Sequence, residues 1–288
     1  MKRLATALIL AAALLVSLVP LAHAVHWKTI EDKHLVVYYQ KESLGRAALR
    51  LAQEEQKRLI RFFRYKPSEK IKIYVYNDPL AFRMIAPNRK AIGVARPFSS
   101  EIAVLAGEEL RTTISHELVH VIFLQSLPSL RGLPFWFAEG IAFYLSQPRL
   151  VQVDLERYAL RGDVRHIEEL SGNLSPEEEG KAAAEGYLIT KFLAEKFGVQ
   201  KLRTMIFFMQ RGKNFYAALQ ASTGLNEQTL DKEWHNYGEA QKKLGSLREL
   251  RFFGFLVIAL LAIIVSAYWL IKIRKRLLVE EEDLEGDQ

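Results

Sequence analysis

Two uncharged apolar runs, one near each end, bound what this chain can fold. The first follows Met1-Lys2-Arg3, extends from Leu4 to Ala22 and closes on Ala22-His23-Ala24. A basic start, an apolar middle and a small-x-small end read as a secretory signal peptide over residues 1–24, with cleavage after Ala24. The second runs from Phe252 to Ile271, twenty residues without a charge. At 1.5 Å per residue, a helix of that length crosses a hydrocarbon core of about 30 Å. Tyr268 and Trp269 stand near one end, where amphipathic rings prefer the interface. Lys272, Arg274, Lys275 and Arg276 follow and suit a cytoplasmic flank, but Lys242, Lys243, Arg248 and Arg251 precede the run. Charge alone therefore leaves the orientation tied, and the signal peptide decides it. The expected organisation is a signal peptide at 1–24, an exported domain at 25–250, a transmembrane helix at 251–272 and a short acidic tail at 273–288. The chain is then a single-pass protein of the cell membrane with its folded domain outside the cytoplasm.

Composition narrows what that domain can do. Half of the 288 residues are hydrophobic and a quarter are charged, which excludes a disordered chain. Cysteine is absent, so disulfides, iron–sulfur clusters, thiolate zinc sites and thiol nucleophiles are excluded. A metal site must use His, Asp and Glu. The net charge of +7 is scattered, with no basic stripe interleaved with aromatics, so nucleic acid is not an expected partner. The acidic tail reads as a solvated terminus.

Within 25–250 the pattern moves from strands to helices. His34–Gln40 is β-rich, Leu44–Tyr65 has helical periodicity, and Ile71, Ile73 and Val75 alternate with polar or aromatic neighbours as a half-buried strand. Asn77-Asp78-Pro79 ends it with turn chemistry. Short strands are expected at Ile92–Ala95 and Ile102–Leu105. From there helices are expected at 109–126, 135–146, 176–197, 199–211, 214–222 and 227–247. Ser175-Pro176-Glu177-Glu178 is a capping box, Gly198, Gly212 and Gly224 sit at helix ends, and Asn226 is an N-cap. Residues 147–175 carry no clear pattern. Strands followed by helices imply an α+β fold with a small N-terminal sheet and a helical half.

The chemistry concentrates in Thr113-Ile114-Ser115-His116-Glu117-Leu118-Val119-His120-Val121-Ile122. His116 and His120 are four apart, which puts both imidazoles on one helix face, able to grip one metal ion. Glu117 can aim its carboxylate at a water activated there without being a ligand itself. This is the His-Glu-x-x-His arrangement of zinc peptidases. A third ligand is needed, and Glu139 is a lone carboxylate in the apolar stretch Leu133–Ala142. Burying it is costly unless a cation or metal pairs with it. Pro128, Gly132 and Pro134 in the connector suit a turn that folds the second helix back against the first. His166 and His235 stand alone in polar surroundings and read as solvated or structural.

These two motifs resemble the gluzincins, the thermolysin-like clan of zinc peptidases, and in particular the bacterial peptidase-MA-like domains. Eighteen residues separate His120 from Glu139, the family's second spacing. Trp136-x-x-Glu139-Gly140-x-Ala142 is similar to the glutamate helix of these domains and of the M1 aminopeptidases. The resemblance implies a zincin-like, thermolysin-type catalytic domain and a Zn2+ cofactor held by His116, His120 and Glu139. It also implies Glu117 as general base and a peptide or protein substrate. It suggests Tyr187, in Ala184-Glu185-Gly186-Tyr187-Leu188, as the oxyanion donor.

The chain also departs from the family. The aminopeptidases' Gly-x-Met-Glu-Asn motif has no counterpart in Ser100–Gly107, although that segment could be the edge strand that pairs with an extended substrate. Phe143 stands where thermolysin has an aspartate that orients a zinc histidine. A membrane-anchored zinc endopeptidase is the leading expectation. A peptidase-like domain retained as an envelope binding or scaffold module is the alternative.

Overall fold

Alternating apolar residues build the first layer. The computed structural model describes residues 26–86, 91–146, 149–171 and 174–285. Strands β1 (Lys28–Glu31), β2 (Leu35–Tyr39), β3 (Ile71–Tyr76), β4 (Gly93–Arg96) and β5 (Glu101–Leu105) form one sheet in the order β1-β2-β3-β5-β4. β2, β3 and β5 are parallel, and the two outer pairings are antiparallel. Leu35, Val37, Ile71, Ile73 and Val75 point into the core, as the period-two pattern requires. On the opposite face Tyr38 stacks on Tyr74 with centroids 4.5 Å apart, and the Trp27 ring meets the edges of Tyr74 and Tyr76.

Helix α1 (Glu42–Phe63) crosses from β2 to β3 and buries Gly45, Ala48, Ala52, Gln56, Leu59 and Phe63, one stripe at helical spacing. A Cβ on Gly45 would lie 2.4 Å from the Tyr39 ring, so this glycine lets helix and strand close on each other. A short helix α2 (Pro79–Arg83) starts where turn chemistry was expected, because the Asp78 side chain accepts from the Leu80 amide. Helices α3 (Leu110–Gln125) and α4 (Phe135–Ser146) follow, then α5 (Arg149–Ala159), α6 (Pro176–Phe197), α7 (Val199–Gln210), α8 (Phe215–Thr223) and α9 (Glu227–Glu285). The Ser175 capping box forms with both of its hydrogen bonds, and Gly198, Gly212 and Gly224 adopt positive φ at helix ends.

The α+β expectation holds, with a small sheet first and a helical half after it. Four local readings change. β1 contains a single apolar residue, Ile30, and takes its place through pairing with β2 rather than through its own pattern. Helix α5 occupies the stretch that showed no clear pattern. The segment at Ser100–Gly107 is not the edge: β5 lies between β3 and β4, and β4 is the outer strand. The last helix does not stop at 247 but continues as one element to Glu285.

The expected signal peptide, residues 1–24, lies outside the described residues. Among the described residues no helix is long and apolar enough to cross a membrane. The C-terminal apolar run lies within α9, where side chains are described for residues 255–270 and every one of them is exposed.

Candidate metal centre

Helix α3 is buried on every side rather than along one stripe. Ile114, Leu118, Val119, Val121, Ile122 and Phe123 are fully enclosed by the sheet, α1 and α4. This explains why its sixteen residues hold no charged side chain besides Arg111 and Glu117, apart from the two histidines. A buried polar group needs a partner, and the partners come from α4. The connector turns at Gly132 (φ 74°), and the Pro134 carbonyl accepts from the Phe137 and Ala138 amides as α4 begins. Glu139, on the second turn of α4, then faces the histidines.

Three side chains converge. His116 Nε2 and His120 Nε2 are 3.1 Å apart, and Glu139 places Oε2 3.5 Å from the first and Oε1 3.4 Å from the second. Ligand atoms around a tetrahedral zinc, each bonded at about 2.05 Å, are separated by about 3.3 Å. The donor set and its spacing therefore fit zinc with no rearrangement of the helices. The cluster is close to buried but not sealed, since the Glu139 side chain keeps 23% of its exposure.

Electrostatics prepares the same set. Burial alone would raise the Glu139 pKa, but His120 and the hydrogen bond from His116 outweigh it and hold the carboxylate at about 2. Burial lowers His120 to about 4, against the pull of Glu139. Burial also opposes protonation of His116, yet the hydrogen bond to Glu139 and the charges of Glu117 and Glu139 leave it raised. Glu117 is pushed up to about 7 by burial, with His116 pulling the other way. Near neutral pH without metal, Glu139 is ionised and His120 is neutral, while contact with Glu139 favours a proton on His116. A dication is the natural replacement for that proton.

Surrounding residues that the sequence did not single out fix this geometry. Arg58 of α1 donates to Glu55, to Ser115 Oγ and to the Leu145 carbonyl, while Ser115 donates to Glu55. One guanidinium thus ties α1 to α3 beside His116 and to the C-terminal end of α4. Phe143 packs on the His116 ring with centroids 4.5 Å apart, and His116 Nδ1 has no hydrogen-bond partner among the described residues. Strand β4 passes over Glu117: a Cβ on Gly93 would lie 2.3 Å from Glu117 Oε1. Only glycine lets the edge strand come this close.

Helix α4 is held from behind by α6 through main chain. A Cβ on Gly140 would meet the Gly186 carbonyl oxygen at 2.2 Å, and one on Gly186 would meet the Trp136 carbonyl oxygen at 2.0 Å. Tyr187 follows Gly186, but its hydroxyl donates to Glu156 Oε1 of α5 at 3.4 Å rather than to any of the four clustered residues. Lys191 binds the same Glu156 oxygen. Burial and the nearby Glu156 raise the Tyr187 pKa well above its ordinary value. The structure therefore brings together His116, Glu117, His120 and Glu139, and engages Tyr187 elsewhere. The cause is α5, whose presence the sequence did not signal.

One family model matches most of the chain, and three solved structures resemble it more distantly. The model of the Peptidase MA superfamily matches residues 51–240. Among solved structures, a variant of an M1 zinc metallopeptidase from Deinococcus radiodurans is 15% identical, with a TM-score of 0.48 over 73% of this chain and 51% of that one. A two-domain M1 zinc metallopeptidase variant bound to L-arginine is 16% identical, with a TM-score of 0.44 over 73% of this chain and 51% of that one. An aminopeptidase N family protein from Idiomarina loihiensis is 15% identical, with a TM-score of 0.38 over 75% of this chain and 41% of that one. The chain spans about half or less of each of these solved chains. No curated protein matches the sequence. The family match covers about two thirds of the chain and includes every residue of the cluster, and the chain belongs to the Peptidase MA superfamily.

Proposed function

We propose that the protein is a zinc-dependent endopeptidase, anchored by its C-terminal apolar helix and acting outside the cytoplasmic membrane. The observation that carries the catalytic part is the convergence of His116, His120 and Glu139 at 3.1–3.5 Å with the buried Glu117 beside them. His116, His120 and Glu139 would hold the zinc, which supplies Lewis acidity to a water and to the scissile carbonyl. Glu117 takes the proton of the attacking water and delivers it to the leaving amine. A dication next to Glu117 favours its carboxylate form at neutral pH, which a general base requires. The free edge of β4 offers main-chain hydrogen bonds to an extended peptide, and Gly93 lets that peptide run close above Glu117. Tyr187 can act as oxyanion donor only after leaving Glu156, so Tyr187→Phe should distinguish an oxyanion role from a packing role.

The anchor rests on the whole uncharged run 252–271 and on the exposure of its described part, residues 255–270, which by itself is too short to span. Phe255, Leu256, Val257 and Ile258 are consecutive and between 50% and 71% exposed. Four consecutive positions cover every face of a helix, so the apolar surface here is not one stripe docked on a core. An apolar surface on all sides is what a lipid-facing helix presents. The N-terminal residues 1–24, read as an export signal, would place the domain outside.

The deciding experiment uses the purified full chain in detergent. Metal analysis should find zinc, and a mixed peptide library should be cleaved. Glu117→Gln should keep the zinc and abolish cleavage. Cleavage that persists undiminished in that variant sinks the mechanism, and a chain that takes up no zinc sinks the enzyme. The occupied Tyr187 hydroxyl is the one feature that favours a binding module, and zinc uptake without any cleavage would select it.

A further inference from the structure

A second group of metal-ligating side chains stands outside the centre described above. His166 lies in the connector after α5, and Asp231 and His235 lie one turn apart near the start of α9. One ligand atom from each falls within 4.8 Å of the other two. His166 Nδ1 is 2.8 Å from Asp231 Oδ2, and His235 Nδ1 is 3.6 Å from Asp231 Oδ1. The two imidazole rings are 4.3 Å apart and tilted by 37°, and His235 Nδ1 also lies 3.1 Å from the Asp231 main-chain carbonyl. We propose that His166, Asp231 and His235 form a second site for a divalent transition ion of the zinc type, which clasps the connector to α9.

Four observations carry this. First, two imidazoles and one carboxylate are the donors such ions prefer. Second, the donors are preorganised. Asp231 Oδ1 accepts the Ile167 amide at 2.9 Å, and Trp234 Nε1 donates to the Arg165 carbonyl at 3.0 Å. The residues on both sides of His166 are therefore tied to the helix that supplies the other two ligands. Arg165 is held in turn by the fully buried Glu185, 2.6 Å away. Orientation of this kind around first ligands is what a metal site needs. Third, the neighbourhood is acidic. Glu168 and Glu169 follow His166, and Glu227 lies one turn before Asp231 on α9. Fourth, the His166 side chain is 62% exposed, which leaves room for water to complete the coordination. No residue is shared with the buried centre, and no acid–base group equivalent to Glu117 stands in this triad. The role is structural: the ion would fasten the start of the longest helix to the body of the domain.

The test counts metal on the full chain, stripped with chelator and titrated with Zn2+ and then Co2+. Wild type should bind two equivalents, and His166→Gln should bind one, with the affinity of the lost site reduced at least about tenfold. His166 is exposed, so this variant should fold, and circular dichroism will verify it. His235→Gln should reproduce the result. Crystals soaked in zinc should show an anomalous peak among the three side chains. Two equivalents in both variants, or one equivalent in wild type that His166→Gln leaves in place, would overturn the site and leave a proton-bridged His166–Asp231 pair. One equivalent in wild type that falls to none in His166→Gln would keep this site and sink the buried one, so the two readings fail separately.

Discussion

The buried and the surface clusters use the same donors, two imidazoles and one carboxylate, and differ in what surrounds them. At His116, His120 and Glu139, burial lowers His120 to about 4, while the two histidines hold Glu139 at about 2 against burial, with donor atoms 3.1–3.5 Å from one another. At His166, Asp231 and His235 solvent softens the interactions, and one Asp231 oxygen is already committed to a main-chain amide. The further carboxylate of the buried cluster, Glu117, is itself buried, and its proton affinity is lifted towards neutrality. Ligand identity alone therefore does not define the chemistry. On the two proposed readings, burial and one extra acid–base group separate a reaction centre from a metal clasp.

Variants can break this contrast. The largest effect is expected for Glu117→Gln, which should lower kcat/KM by about 10²–10⁴-fold, the usual worth of a general base, while zinc content stays constant. Next is Glu185→Ala. It strands the largely buried Arg165 and should cost about 3 kcal/mol in chemical denaturation. It should loosen the surface cluster through the connector and leave zinc at the buried one. Gly186→Ala should do the converse. Its Cβ would press on the Trp136 carbonyl, costing about 1–3 kcal/mol and weakening zinc retention at the buried centre only.

The pH dependence separates the clusters further. His116 has a raised pKa and must lose its proton before it can bind metal, whereas His120, at about 4, is already neutral. Zinc affinity at the buried centre should thus rise with pH until His116 and Glu117 have lost their protons, and then level off. Calorimetry in buffers of different ionisation enthalpy should detect protons released on zinc binding. The smallest effect concerns the metal-free surface pair. The folded pKa of His166 is raised by its hydrogen bond to Asp231, so its stabilisation is present below about 6.5 and lost as pH rises through the folded value. The folded pKa of Asp231 is lowered despite burial, by the Ile167 amide and His166. Its share is present above about 3.8 and lost as pH falls through the folded value. The metal-free protein should therefore gain slightly in melting temperature between these limits, and Asp231→Asn should flatten the profile.

What the sequence disclosed was local. His116, Glu117 and His120 stand out because a four-residue spacing and an uncharged stretch are read along one helix. Glu139 stands out because a single carboxylate in apolar surroundings demands a partner. Helix ends were legible in the Ser175 box and in Gly198, Gly212 and Gly224, where the chemistry of a few neighbours decides. The illegible parts depend on pairing at a distance. That β4 rather than β5 is the edge follows from strand order, which no strand encodes alone. Glu156 captures the Tyr187 hydroxyl from a helix with little pattern of its own. His166 and Asp231 are 65 residues apart, so a histidine that reads only as solvated or structural does not disclose its partner. The Asp231-to-His235 spacing, one helical turn on one face, was the available signal for that cluster.

The seam between Gly140 and Gly186 sets a tolerance on the position of Glu139. Glu139 precedes Gly140, and the surface against which its helix rests is peptide backbone, which has no rotamers to exchange. Side chains elsewhere in the core can drift in size and be absorbed by their neighbours. At the two glycines main chain meets main chain, with the Thr190 hydroxyl beside it, so drift in the rest of the core leaves this spacing unchanged, and the carboxylate is indexed to a fixed datum.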